Sequence, residues 1–586
     1  MSHHKKCQAD SRGAPWYPTR QVEVLDDGGA KVIETSETTP TGPYATLSHC
    51  WETSGIFTAT TRNIQRLKKQ IPVQDLPKTF SDALQFTRGI GLSFIWIDSL
   101  CIIQDSVEDW EFESRTMLQV YRHAQCNLAA AVSEDSHGGL FRDRDHAVQP
   151  SGWFEVDNNH PLLKGAHCAV PYDYFKDAFE QQIGSSRLTG RGWVYEERAA
   201  SERIVAFGRD QVFWDCPERL ESDVLPGYHI RLSLHRDRQS SYEPMGMAVP
   251  KRVSPAVPHT LNSLDDGLVA WRFIVKRYSA SVFTFSKDKP IAILGVAEMI
   301  SKVLKAELET VSTAYWAGLW LQDMYRQLVW KVAQTGLRKN DHAPSWSWLS
   351  IEGPVDWQMR VDLEPKSYGR VLSAMATIAW TDEPANDSNS NFCELSADLK
   401  MWCILYPVRR TGTLVSIMSA AWESCHDLDV AVTEQNELEL DPVNLDCEDI
   451  EVDRLYFLPL THAHDNHDIT KLSMVDNDIN MESSSFFHWS EFSDAPPENW
   501  GNRQAIVGIL VQMADSQLGT YRRCGSATLR ASNPSYSDDE EISDVPNHEK
   551  QAWIRRKFHL PEASPSAVEF AYQKYDPELG YLIQLV

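Results

Sequence analysis

The carboxylate of Glu113 sits where chemistry needs one and packing does not. In FIWIDSLCIIQDSVEDWEFESRTMLQVYRHA, residues 94–124, Glu113 follows Trp110 by three and precedes Met117 by four, so it falls on the apolar stripe Trp110, Met117, Val120, Tyr121 and Ala124. A desolvated carboxyl there would have its pKa raised into the range useful for acid–base work. The competing reading is an ion pair with Arg191 or Arg198. Asp98, Ser99 and Cys101 follow directly after the apolar run Phe94–Ile97, at the strand end where open α/β sheets bind ligands. They are candidate catalytic residues beside Glu113; locally, they read as turn-forming polar groups and a small buried thiol. His49 is the base a Cys101 nucleophile would require. Ser48, His49 and Trp51 end an earlier strand at the same sheet edge, and Arg191, Trp193, Glu197 and Arg198 are placed to close a ligand-binding crevice, an arginine pairing with phosphate or carboxylate.

The elements that must position these groups alternate. Tyr44–His49 reads as a strand, 79–88 as a helix stopped by Gly89 and Gly91, and 94–97 as a strand buried on both faces. Ser106 and Asp109 start a helix over 107–124, and 127–132 is a small-residue strand. Val194–Trp214 adds a helix and the strand RIVAFGRDQVFW. The expected fold is α/β, a mostly parallel sheet flanked by helices. Strand 94–97 is expected to be central and parallel to its neighbours. Further on, 268–278 and 291–304 read as helices, as does the segment where Trp316, Trp320, Met324 and Leu328 recur every fourth residue. After about residue 365, six short apolar runs read as a mostly antiparallel β domain. The organisation is an extension at 1–43, the α/β domain at 44–216, a helical middle at 217–364 and a β-rich domain at 365–586.

Ordered blocks in this stretch resemble a family. YATLSHCW at 44–51, LPKTFSDALQFTRGIG at 76–91, FIWIDSLCIIQDSVEDWEFE at 94–113 and RGWVYEERAASERIVAFGRDQVFWDC at 191–216 resemble the fungal heterokaryon-incompatibility (HET) domain. APSWSWLS at 343–350 and blocks at 271–298 and 315–330 resemble the region that trails it in long fungal members. Two positions depart from the pattern: Glu52 replaces a usual Gly, and Glu196 stands where Gln is common. The resemblance implies self/non-self recognition after cell fusion, ending in growth arrest or programmed cell death, with other incompatibility proteins or self-assembly as partners. It also implies a remote likeness to the TIR domain, whose enzymatic members cleave NAD with a Glu on the helix after a central strand. By that analogy Glu113 would be the cleaving carboxylate. The alternative is a secondary-metabolite enzyme on this scaffold, binding an apolar terpenoid or polyketide-like small molecule and promoting cyclisation or rearrangement.

Composition narrows the partners. A net charge of −26 over 586 residues opposes non-specific binding to nucleic acid or anionic membrane. Much of it lies in the acidic runs 436–453 and 537–544, which read as solvated loops. Eleven cysteines without CxxC pairs fit reduced thiols, and the chain shows no signal peptide or membrane span, so a cytoplasmic protein is expected. THAHDNHD at 461–468 nearly spells a metallo-hydrolase signature, but its aspartate is out of register, so it reads as a His-rich loop and no metal is expected. Phosphate-loop, nucleophile-elbow and dinucleotide fingerprints are missing, and no cofactor is implied.

Overall fold

The computed structural model describes residues 16–51, 57–143, 153–156, 165–168, 174–216, 220–224, 229–230, 264–307, 315–320, 324–332, 337–338, 343–357, 371–374, 377–378, 399–403, 405–411, 414–417, 438–445, 455–465, 503–514, 519–530, 574–576 and 580–585. The chain forms two compact units, Met1–Ser312 and Thr313–Val586. In the first, the strands of the main sheet and the longer helices are, in chain order, β1 (Arg20–Val24), β2 (Ala30–Glu34), β3 (Tyr44–Ser48), α1 (Lys78–Gly89), β4 (Phe94–Trp96), α2 (Val107–His123), β5 (Cys126–Ala129), α3 (Gly192–Ala200), β6 (Ile204–Phe207), β7 (Val212–Asp215), β8 (Leu220–Ser222), β9 (His229–Ile230), α4 (Leu264–Tyr278) and α5 (Leu294–Glu307).

Among the described residues the sheet runs β9-β8-β7-β6-β5-β3-β4-β1-β2. Its centre is parallel: β4 pairs with β3, β3 with β5 and β5 with β6. Helices α2, α3 and α5 pack on one another, and α1 lies against β1 and β4. Burial explains why this centre holds. Leu47, Ile95, Trp96 and Leu128 are at most 1% exposed, and each aliphatic or aromatic side chain so buried contributes about 1.5–3 kcal/mol. Helix α2 starts as its sequence dictates, the Ser106 hydroxyl accepting the Asp109 amide at 3.2 Å. Glu108 and Asp109 in its first turn and Arg122 and His123 in its last complement the helix dipole. Helix α1 ends at Gly89, and Gly91 takes φ +80°, a conformation that L side chains resist.

Four expectations are corrected here. Residues 20–34, within the expected extension, form the hairpin β1–β2, turning at Gly28 with φ +86°. Strand β4 is therefore interior but mixed, parallel to β3 and antiparallel to β1. RIVAFGRDQVFW is two antiparallel strands, β6 and β7, closed by the Gly208 amide on the Gln211 carbonyl at 3.0 Å. The helix expected at 316–328 is a hairpin, Tyr315–Trp316 against Leu319–Trp320, followed by a helical turn at Met324–Gln327. A spacing of four is also a multiple of two, so it suits a strand as well as a helix. Ala317 at φ 39° and Gly318 at φ 91° make the tight turn, which the Ser347 hydroxyl and the Trp348 indole cap by donating to their carbonyls.

The second unit is β-rich. Among the described residues an 11-stranded sheet is built around three long neighbours, Leu455–Asp465, Arg503–Met513 and Thr520–Arg530, paired antiparallel. Thr520–Arg530 and Gly580–Leu585 pair in parallel, within an otherwise antiparallel arrangement. Trp320, Trp330, Trp346 and Trp348 are fully buried in this unit, and the Arg523 guanidinium lies 3.4 Å from the Trp330 ring centroid. Thr461–Asp465 extends a strand rather than forming the expected His-rich loop, while residues 466–468 lie outside the described residues. Leu438–Leu445, inside the acidic run expected to be a loop, is also a strand, and 537–544 lies outside the described residues.

Candidate functional site

The connection leaving β3 runs to β4, and the one leaving β5 runs to β6, in opposite directions across the sheet. The crevice such a reversal opens lies at the carboxyl ends of β3 and β5, where Ser48 stands opposite Ala129. Two polar clusters occupy this edge, and they differ in what they can touch.

The deeper cluster is sealed. The Thr46 hydroxyl donates to the Asn127 amide oxygen at 3.1 Å, the Asn127 amide donates to the Ser48 hydroxyl at 2.9 Å, and Ser48 donates to Glu197 on α3. The Tyr121 hydroxyl on α2 lies 3.4 Å from the Leu47 carbonyl in the same network. Ser48 and Glu197 are buried, at 1% and 5% exposure, so this chain of donors orients groups rather than meeting a ligand. Burial pushes the Glu197 carboxyl up to about 7; the Ser48 bond and the Arg191 charge oppose that, and the Asp98 charge adds to it.

Above it lie the partly exposed Trp51, Asp98 and Arg191, grouped around the buried His49 ring. The Trp51 indole donates to Asp98 Oδ2 at 2.7 Å, and Asp98 Oδ1 accepts the Ser99 amide at 2.7 Å and stands 3.6 Å from His49 Nδ1. The His49 ring stacks on Trp51 at 6.4 Å between centroids and meets Phe80 edge-on at 4.9 Å. Arg191, capping α3, donates to the His49 carbonyl. Ser48, His49, Trp51, Asp98, Arg191 and Glu197 are thus brought together. This arrangement offers an aromatic face, a carboxylate and a guanidinium to a small polar ligand.

The other candidates go elsewhere. Ser99 is fully buried in the turn Asp98–Cys101. Cys101 is fully buried, and burial pushes its thiol up to about 12, so it packs as an uncharged group. Trp193 meets Trp110 edge-on and donates to Asp288 at 3.3 Å. Arg198 lies by Phe179, Ile183 and Asp215, its charge facing Glu180. Glu52 lies outside the described residues.

Glu113 is buried on α2, but its partner is Arg20, at 3.3 Å, rather than Arg191 or Arg198. The same guanidinium donates to both Asp109 oxygens at 2.5 and 2.6 Å and to the Cys101 carbonyl at 2.6 Å, with Glu34 at 3.9 Å. Burial pushes Glu113 up to about 7, against the Arg20 charge and a hydrogen bond from Thr19. Arg20 escaped the sequence reading. Its signal was RQVEV and AKVIE around Asp-Asp-Gly-Gly, a hairpin pattern that carries position 20 to the end of β4.

Residues 44–197 match the family model of the heterokaryon incompatibility protein (HET). This segment is a HET domain. The match opens on β3 and closes on Glu197, so the HET segment contains the whole crevice, while Arg20 and Asp288 lie outside it. No curated protein and no solved structure matches the chain. Among the described residues, no group of three or more His, Cys, Asp or Glu is placed to hold a metal ion, and no helix is long and apolar enough to cross a membrane.

Proposed function

We propose that this HET-domain protein acts in self/non-self recognition after cell fusion, and that its N-terminal unit is the effector that arrests growth or kills the cell. The supporting observation is that the HET match takes in β3, β4 and β5 of the parallel centre and ends on the residue beneath the crevice. In this reading Trp51, Asp98 and Arg191 contact a small polar ligand or an incompatibility partner, and the buried His49 ring backs Trp51. Ser48 and Glu197 hold β3 and α3 in the orientation that contact requires. Glu113 serves the fold through Arg20, which sets the HET effector role apart from NAD cleavage.

The test is inducible expression of the full chain and of residues 1–312 in a fungal host. Growth arrest is expected, and is expected to be relieved by Trp51→Ala with Arg191→Ala at equal protein levels. Healthy growth at verified levels of the unsubstituted chain overturns the effector role.

A further inference from the structure

Helix α3 carries two consecutive glutamates, and both are buried, Glu196 at 3% and Glu197 at 5% exposure. A helix turns about 100° per residue, so the two diverge: Glu197 reaches Ser48, whereas Glu196 reaches α5. A Cβ built on Gly295 of α5 would stand 2.1 Å from Glu196 Oε1 and 2.9 Å from the Leu118 Cβ. The carboxyl thus fills the space that a side chain at 295 would take, in the interface of α2, α3 and α5.

A charge there has no compensation. From α3 it faces Glu197, and from α5 it faces Glu298, which is itself paired with Lys302 at 2.5 Å; α2 presents the apolar Leu118. No Lys, Arg or His among the described residues forms an ion pair with Glu196. Burial first, then the like charges of Glu197 and Glu298, hold the carboxyl well above the usual range.

We propose that Glu196 is an uncharged acid in the folded protein and acts as a proton-operated latch between α3 and α5. With the proton in place the interface closes. Losing it puts an unpaired carboxylate between two others, which favours separation of α5 from α3. Because α3 also carries Glu197 beneath the crevice, the latch makes the order of that site depend on pH: it is closed on the acid side and loosened as pH rises.

The test is hydrogen exchange on the full chain, corrected for the intrinsic rate, in peptides covering 192–200 and 294–307 from about pH 6 to about pH 9.5. In the wild type, protection of both segments is expected to fall by about tenfold or more relative to Glu196→Gln at the alkaline end, since one pKa unit is a tenfold change. At the acid end the two should coincide. Parallel profiles overturn the proposal, as does a Glu196→Gln chain that is less protected at every pH. Glu298→Gln removes a like charge that raises the Glu196 pKa, so the alkaline loss of protection is expected to be smaller and to level off at lower pH; an unchanged profile also overturns the proposal. Glu197→Gln is expected to keep the opening, and its loss there would assign the proton to Glu197 and end the case for Glu196.

Discussion

Replacing Glu113 by Gln separates a structural carboxyl from a catalytic one through the sign of its pH dependence. Burial raises Glu113 from 4.5 to about 7 despite Arg20. The folded state therefore holds this proton more tightly than the unfolded chain, and stability falls as pH climbs through that window. A displacement of about 2.5 units at about 1.36 kcal/mol each is about 3 kcal/mol. That contribution is present below about pH 4.5 and gone above about pH 7. Gln cannot ionise, and its oxygen can still accept from Arg20, which keeps its two bonds to Asp109. The mutant is expected within about 1 kcal/mol of wild type near pH 5 and about 2–3 kcal/mol more stable near pH 8.5. The assay is urea unfolding at both pH values, read by hydrogen exchange in peptides from 107–123, because two units preclude a single unfolding free energy. A mutant less stable by several kcal/mol near pH 8.5 would refute the reasoning. It would mean that Glu113 is ionised and that Arg20 depends on it.

Other consequences follow from the same contacts. Arg20→Met leaves Asp109, Glu113 and Glu34 without their shared cation and is expected to lower stability by about 3–5 kcal/mol, seen as an earlier thermal transition of the N-terminal unit. Ser48→Ala removes the donor to Glu197, so the pH at which Glu197 ionises should move up from about 7, read by carboxyl-selective NMR titration; an unmoved titration would sink the proposed network. A Cβ at Gly192 would stand 1.8 Å from the Phe283 ring, so Gly192→Ala should cost about 1–3 kcal/mol, and Phe283→Ala in the same chain should recover part of it. Purified wild type incubated with NAD is expected to release no nicotinamide. Release that Glu113→Gln abolishes would restore Glu113 to the catalytic role.

The parallel centre was legible because its signals are local and agree with one another. Phe94–Trp96 is apolar without alternation and covered on both faces, and Ser106 with Asp109 marks the start of α2 within a residue. What stayed hidden was long-range pairing. Nothing in the order of residues says that β1 runs antiparallel beside β4, yet that register places Arg20 under Glu113, 93 residues away. The inward position of Glu113 was therefore readable, while its partner was not. The site divides the same way: Ser48, His49, Trp51 and Asp98 share an edge because their strands are parallel, which the alternation of elements implies. Adjacency in the sequence groups Arg198 with Glu197, but one helical step turns it toward Phe179 and Ile183 instead.

That same step gives α3 its importance. The HET match ends at Glu197, partway along a helix whose packing continues past it. The Gly192 amide donates to the Val282 carbonyl at 3.1 Å, the Val282 amide donates to the Gly190 carbonyl at 2.7 Å, and Tyr195 meets Tyr278 edge-on at 5.6 Å. Phe283 closes over Gly192, and Gly295 admits Glu196. Without residues 278–298, these buried faces of α3 would meet water, and the helix that holds Glu197 under Ser48 would lose its outer support. Cutting the chain at 216 is therefore expected to expose and loosen α3, with raised hydrogen exchange in 192–200, whereas residues 1–312 keep it protected. Equal protection in the two fragments would show that the HET segment holds its crevice unaided, and would remove any structural route by which α5 could act on that site.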